Sequence, residues 1–279
     1  MYIKEINLPF EEEVHVYAIG DLHEGAGNVN YVAFRKMVDI IKKDPCKSKV
    51  VFLLGDMIDN VIPTDPRFDA ASICEKYKIK DLEEFPRRQV EEVAKLLMPI
   101  RENIKVILKG NHEITFLKRH HFNASKYLCE VLGLGLEAYG GQTCLVNLRL
   151  LRANSNRSEV TYTAALKHGM GGAGKLNGYP ANKIWDTFLD LNADIYLMGH
   201  VHRMIDYVVR QRELYKGTTR IIKKVFGVTG CYLEKLKEGY DSYYENGTGH
   251  ESSIGSLCVK IHPRSPKEET QYFTEKYYL

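Results

Sequence analysis

Five apolar runs in this chain break off at the same kind of turn, and that repetition limits the folds open to it. HVYAIGD (15–21), KVVFLLGD (49–56), IKVILKGNHE (104–113), EVTYTAALKHG (159–169) and ADIYLMGHVH (193–202) each carry a strand-like stretch into Gly, Asp, Asn or His. Runs this apolar fit strands covered on both faces. Helical patterns separate them. Residues 28–43 place Val32, Met37, Val38 and Ile41 at apolar positions. Pro86 opens PRRQVEEVAKLLMPIR, where Val90, Val93, Leu97 and Ile100 recur at helical spacing. A further helix is expected from about Asn182 to Leu191. Strands alternating with helices predict βαβ units and an α/β class.

The second half is richer in strand. IDYVVRQRELY and TTRIIKKVFGV flank Lys216-Gly217 and read as a β-hairpin, and SSIGSLCVKIH (252–262) reads as another strand. One stretch resists the alternation: residues 61–85 are polar, punctuated by proline and weakly periodic. They read either as an inserted lid or as a plain surface loop. The whole chain, 1–279, is expected to form one domain with this insertion and a β-rich C-terminal part, 203–279.

Composition narrows the function classes. Of 279 residues, 44% are apolar and 27% charged, which excludes disorder and collagen-like repeats. No apolar run nears the roughly 18 residues of a membrane-spanning helix, and the first residues lack the basic-then-apolar pattern of a secretory signal. Six scattered cysteines without C-x-x-C spacing argue against a disulfide framework or a zinc-thiolate site and for free thiols in a reducing cytoplasm. A net charge of +3 by itself says little about partners.

The chemistry lies in the turns: Asp21-Leu22-His23, Gly55-Asp56-Met57-Ile58-Asp59, Gly110-Asn111-His112-Glu113, His168-Gly169 and Gly199-His200-Val201-His202. Ligands of open α/β sheets bind at strand carboxyl ends, so these turns should converge. Each alone reads as an ordinary turn or a satisfied histidine. Together they form a set of carboxylates, an amide and imidazoles, which favours manganese, iron or zinc over calcium or magnesium. Two such ions about 3.5–4 Å apart can hold both the attacking and the leaving oxygen of a phosphoryl displacement. Keeping two cations that close needs a bridging carboxylate, and Asp56 is the natural candidate. Bound cations also make hydroxide available near neutral pH.

The series D-L-H, G-D-M-I-D, G-N-H-E, H-G, G-H-V-H resembles the calcineurin-like metallophosphoesterase superfamily from Asp21 to His202, about two-thirds of the chain. The resemblance implies a four-layer αββα sandwich: two mixed β-sheets face to face, helices outside, and a di-metal site at the strand C-terminal ends. It implies that Asp21, His23 and His202 hold one metal, that Asp56 bridges, and that Asn111, His168 and His200 hold the other. Two divalent ions are expected, manganese first, with iron or zinc as alternatives. His112 is implied to contact the substrate phosphate and protonate the leaving oxygen, with Asp59 orienting its imidazole. Asn60 stands where Ser/Thr protein phosphatases of the superfamily carry arginine. Asp59 stands where its double-strand-break nucleases carry histidine. GVTGCYLEK and DSYYENGTGHESSIG are similar to the tails of phage and prophage members.

The substrate must be read from flanking residues. Residues 203–224 hold seven basic side chains (Arg203, Arg210, Arg212, Lys216, Arg220, Lys223, Lys224) against Asp206 and Glu213. A basic ribbon next to the expected metals suits DNA or RNA; a solvated hairpin has the same composition. The Gly-rich segment after His168 can offer backbone N–H groups to phosphate but lacks a P-loop ending. Within it Tyr179 can stack on a base or anchor the loop, and Arg203 can reach substrate. The expectation is a phosphodiesterase or nuclease, against a phosphomonoesterase or a catalytically silent scaffold.

Overall fold

The computed structural model describes residues 1–279 except 61–72, 79–80, 82–83, 153–158, 172–175, 239–251 and 264–269. Most of the expected lid, part of the Gly-rich segment and much of the phage-like tail therefore lie outside the described residues.

Among the described residues twelve strands form two six-stranded mixed sheets. One sheet runs β12 (Gln271–Tyr278), β11 (Gly255–His262), β2 (Val14–Ile19), β3 (Lys49–Leu53), β4 (Ile104–Leu108), β5 (Tyr139–Gly141). The pairs from β2 to β5 are parallel. The other runs β1 (Tyr2–Pro9), β6 (Thr143–Leu151), β7 (Glu159–Lys167), β8 (Ile195–Met198), β10 (Thr218–Val228), β9 (Ile205–Tyr215). Among the described residues five α-helices accompany the sheets: α1 (Tyr31–Lys43), α2 (Phe85–Leu97), α3 (Asn111–His120), α4 (Ala124–Val131) and α5 (Tyr179–Thr187).

Three apolar cores define the layers. Val16, Phe52, Val106, Leu148, Leu166 and Leu257 pack between the sheets. Phe34, Met37, Val93, Leu97 and Leu128 press α1, α2 and α4 onto the outer face of the first sheet, beside Tyr17, Val51 and Ile107. Ile184 and Phe188, at α5, cover Tyr196, Met198 and Phe226 of the second. Alternate residues of one strand thus enter different cores, as pleating requires. The expected αββα sandwich is the fold observed.

Several boundaries differ for physical reasons. Val32, placed on the apolar face of its helix, is 77% exposed; the buried stripe is Ala33, Phe34, Met37, Val38 and Ile41. The helix opening at Pro86 stops at Leu97 and gives way to a 3₁₀ turn over Met98–Asn103. Pro99 lacks the N–H an α-helix would need there. The strand read as 104–113 ends at Leu108, and Asn111 begins α3. Glu113 sits at the third position of that helix and accepts the Gly110 N–H at 2.8 Å, so the motif caps the helix it starts. The last expected helix lies earlier, at Tyr179–Thr187, where Pro180 suits the first turn.

Candidate metal centre

Strands β2, β3, β4, β7 and β8 all deliver their carboxyl ends to one place. Asp21 and His23 follow β2, Asp56 follows β3, Asn111 and His112 follow β4, His168 follows β7, and His200 and His202 follow β8. Asp21, His23, Asp56, His112 and His168 are buried, while His200 and His202 are half-buried.

The backbone there is strained. Eight described non-glycine residues have positive φ, and five of them are Asp21 (55°), His23 (53°), Asp56 (49°), His200 (71°) and His202 (57°). Left-handed backbone at a residue with a Cβ costs about 1 kcal/mol or more and persists where the surroundings impose it. Close approach adds a second constraint. A Cβ on Gly110 would lie 2.0 Å from Asp56 Oδ1 and 2.3 Å from Asp56 N, so only glycine lets these two turns meet.

Two donor groups result. Asp21, His23 and His202 bring ligand atoms within 4.8 Å of one another, and so do Asp56, His168 and His200. In the first, His202 Nε2 is 3.2 Å from Asp21 Oδ1 and 3.3 Å from His23 Nε2. In the second, Asn111 Oδ1 is 3.0 Å from His168 Nε2 and 2.8 Å from His200 Nδ1. Asp56 Oδ2 faces both, 3.1 Å from His168 Nε2 and 3.9 Å from His23 Nε2. One carboxylate oxygen between two donor groups is the placement a bridging ligand needs.

Outer hydrogen bonds fix which nitrogen each ring presents. His168 Nδ1 donates to the Leu54 carbonyl at 2.8 Å, leaving Nε2 for the centre. His200 Nε2 donates to the Gly171 carbonyl at 2.5 Å, leaving Nδ1. The Asp21 carboxylate accepts the His200 N–H at 2.9 Å, and Asp56 Oδ1 accepts the His112 N–H at 2.9 Å.

Electrostatics fits cation binding. Burial works against charge on Asp56, but His168, His112 and His23 outweigh it and hold the carboxyl well below its ordinary range. Asp21 is lowered too: His202 and His168 outweigh its burial. Burial opposes charge on His168, yet Asp56 and Asp21 lift it to about 9. His202 is raised against its burial by the Cys231 thiol and Asp21. Protons on two imidazoles thus balance two buried carboxylates, a role divalent cations fill with greater charge. Burial lowers His23 and His200, which suits neutral ligands. The donor set therefore fits two divalent ions.

His112 stands apart from both groups. Its Nδ1 donates to the Asp59 backbone carbonyl, while the Asp59 carboxylate lies 3.5 Å from that nitrogen and 3.4 Å from His23 Nδ1. Asp59 thus touches His112 through its main chain and sets its carboxylate between two rings. His23, Asp59 and His112 also form a third compact group.

Of the flanking residues, Arg203 is turned to the Gly-rich segment. It donates to the Leu176 and Asn177 carbonyls, each at 3.3 Å. Tyr179 opens α5 half-buried, with Lys183 Nζ 6.0 Å from its ring centre.

Two residues escaped the sequence reading. Glu113 is buried and accepts N–H groups from Met57 (2.8 Å), Gly110 (2.8 Å) and Asp56 (3.1 Å), tying the turns of β3 and β4 together. Burial and the Asp56 carboxylate raise its carboxyl to about 7. Its place in G-N-H-E was the available signal. Cys231 gave none, since it reaches His202 from 29 residues along the chain.

The sequence pattern of the calcineurin-like phosphoesterases matches residues 14–204. The chain belongs to the calcineurin-like phosphoesterase family. Membership in this family and the donor groups above support a metal-dependent hydrolase of phosphate esters. A search of curated proteins finds no match. Among solved structures, this phosphoesterase is similar to a metallophosphoesterase from Sphaerobacter thermophilus, with 12% identity over 95% of this chain and 89% of that one and a TM-score of 0.38. It is also similar to a calcineurin-like phosphoesterase from Bacillus subtilis, with 9% identity over 95% and 90% and a TM-score of 0.41. No described helix is long and apolar enough to cross a membrane.

Proposed function

We propose that the protein is a phosphodiesterase acting on nucleic acid, with Asp21, His23 and His202 holding one divalent ion, Asn111, His168 and His200 a second, and Asp56 shared. Manganese suits this mixture of carboxylate, amide and imidazole, with iron or zinc as alternatives. The ions supply Lewis acidity and a water acidic enough to act as nucleophile near neutral pH. The chain's own residues do the rest. The Leu54 and Gly171 carbonyls keep His168 and His200 in the ligating tautomers. With Nδ1 committed to the Asp59 carbonyl, His112 gives its proton to the leaving oxygen from Nε2. An alkoxide leaving group, as in a nucleic-acid diester, needs that proton.

One observation carries the choice of a polyanion. Across the β9–β10 hairpin Arg210 pairs in register with Lys223, and Arg212 shares their face. Like charges directly opposite cost a few tenths to about 1 kcal/mol. Glu213 lies on the other face and pairs with Arg220. Asp206, at the hairpin root, is engaged by Lys276 at 2.7 Å. Arg210 and Arg212 make no ion pair among the described residues. A phosphate backbone is a partner that suits the guanidiniums of Arg210 and Arg212 on this face. Tyr179 is a stacking platform two residues from Ala181, whose carbonyl accepts the Tyr207 hydroxyl of β9 at 3.1 Å, and Arg203 holds the loop before it.

The test is turnover with manganese on bis-p-nitrophenyl phosphate against p-nitrophenyl phosphate, then on linear single- and double-stranded DNA and RNA. Preference for the diester with cleavage of at least one nucleic acid supports the reading. Preference for the monoester with every nucleic acid intact makes the protein a phosphomonoesterase.

A further inference from the structure

The turns that carry Asn111 and His168 are each preceded by a lysine, and both lysines line one cavity of about 310 Å³. This is the small end of the range for small-molecule sites. Neither lysine belongs to the metal centre. Lys109 follows β4 with its backbone N–H bonded to the Gly141 carbonyl at 2.7 Å, which fixes β5 beside it. Its ammonium makes no hydrogen bond or ion pair among the described residues, and the Tyr139 ring centre is 6.0 Å away. Lys167 is committed: it donates to the Thr187 carbonyl at 2.6 Å and pairs with Asp190 at 3.2 Å. Asp190, the cavity's carboxylate, is thereby paired with Lys167, and the Lys109 ammonium has no carboxylate partner among the described residues.

The wall beside Lys109 is aromatic and fixed. Tyr139 is buried, and its hydroxyl accepts from Asn123 Nδ2 at 3.2 Å. Tyr2 and Tyr139 meet edge to face at 5.3 Å, one side of the Tyr2 ring lies against Gly141, and the residue remains 43% exposed, with its ring in the cavity wall. Gln142 adds an exposed amide at the rim. A lysine ammonium without a carboxylate partner, a partly exposed aromatic ring and an amide donor match a phosphate carrying a flat heterocycle.

We propose that this cavity is a second binding site, separate from the metal centre, that takes a nucleoside monophosphate with its phosphate on Lys109 and its base against Tyr2. The assignment stands whether the metal centre cleaves monoesters or diesters. It also joins the two sites covalently, because Lys109 is two residues from Asn111 and Lys167 adjoins His168.

Calorimetric titration of the full chain tests it, with metals removed by chelation so that the metal centre does not hold phosphate. The probes are adenosine monophosphate, inorganic phosphate and adenosine. The nucleotide should bind saturably and more tightly than either part. Lys109→Gln should weaken the nucleotide about tenfold or more, the loss of one charge-assisted hydrogen bond, and Lys109→Arg should restore it. Tyr2→Ala should weaken the nucleotide and leave inorganic phosphate unchanged. Unchanged melting temperatures would show that the variants are folded. Nucleotide affinity equal in wild type and Lys109→Gln, or no saturable binding at millimolar nucleotide, overturns the proposal. Failure of diester cleavage with nucleotide binding intact overturns only the function proposed above.

Discussion

Removing Glu113 should loosen the centre without touching a ligand. Its two oxygens accept four buried N–H groups, from Met57, Gly110 and Asp56 at 2.8, 2.8 and 3.1 Å and more weakly from Ile58 at 3.4 Å. Glu113→Ala leaves these donors without that partner where water does not reach. A stranded buried donor costs about 1–3 kcal/mol, and neighbouring losses are not fully additive. The expected loss is therefore about 3–5 kcal/mol, a large part of the roughly 5–15 kcal/mol that holds a domain folded. Glu113→Gln keeps one carbonyl oxygen and places an NH₂ where the other stood, so at least one donor is stranded at a cost of about 1–2 kcal/mol. Urea unfolding of the chelated protein, followed by circular dichroism, measures both. The order should be wild type, Gln, Ala. An alanine variant within about 1 kcal/mol of wild type would show that the turns of β3 and β4 are held by something else, such as the Gly55–Gly110 contact.

Four further outcomes follow from the geometry. Asp56→Asn should bind fewer than two ions by elemental analysis, because Oδ2 faces both donor groups; full occupancy would remove Asp56 from the bridge. His112→Asn should keep both ions and lose about 10²–10⁴-fold in turnover on an alkyl diester, the usual contribution of a general acid; a near-normal rate would take His112 out of the reaction. Metal uptake should release protons at pH 7 and tighten as pH rises toward about 9. His168 and His202 are raised in the metal-free chain, so they carry protons there that ligation must displace; titrations in buffers of different ionisation enthalpy count them, and zero release would contradict the assignment. Replacing Arg210, Arg212, Arg220 and Lys223 by glutamine should flatten the logarithmic salt dependence of nucleic-acid binding by roughly 0.7–0.9 for each phosphate that no longer meets a cation, with small-diester turnover unchanged; an unaltered slope would leave the hairpin a solvated ribbon.

What the sequence made legible is the part of the site written in contiguous residues. Each turn carries its ligand types within five residues of a strand end, so the letters alone announce the cluster. The lining of the buried face of α1 was harder. Val32 fits an apolar pattern by composition but lies just off the stripe that Phe34, Met37, Val38 and Ile41 turn inward. Strand β1 was invisible for a related reason. It lies at a sheet edge, and only Ile6 and Leu8 are buried along it. Strand β6 alternates cleanly between buried and half-buried positions, yet it sits between two long stretches without a chemical landmark. Glu113 is plain in the letters while its role is not. That role exists only because two glycines let the β3 and β4 turns approach, and no spacing within either turn reports that.

The strain at the ligands explains why this site sits on this scaffold. Five candidate ligand positions at about 1 kcal/mol each, together with buried carboxylates of like sign, oppose folding by an amount comparable with a domain's entire stability. A single loop could not hold such a set. Here each strained residue follows a strand whose neighbours are hydrogen-bonded to it, and three apolar cores fix the strands in two sheets. Further bonds clamp the turns directly: Asp21 N–H to the Gly55 carbonyl at 3.0 Å, His23 N–H to the Asp56 carbonyl at 3.0 Å, and Tyr232 N–H to the Asp21 carbonyl at 3.0 Å. The described end of the 61–85 crossover joins the clamp. Cys74 N–H donates to the Gly25 carbonyl at 3.0 Å, and Lys76 pairs with buried Glu24 at 2.6 Å, one residue from His23. Donors held this way cannot relax away from one another when their cations are removed. The cooperative sheet therefore carries an unfavourable arrangement of charge and backbone, ready for the ions that relieve it.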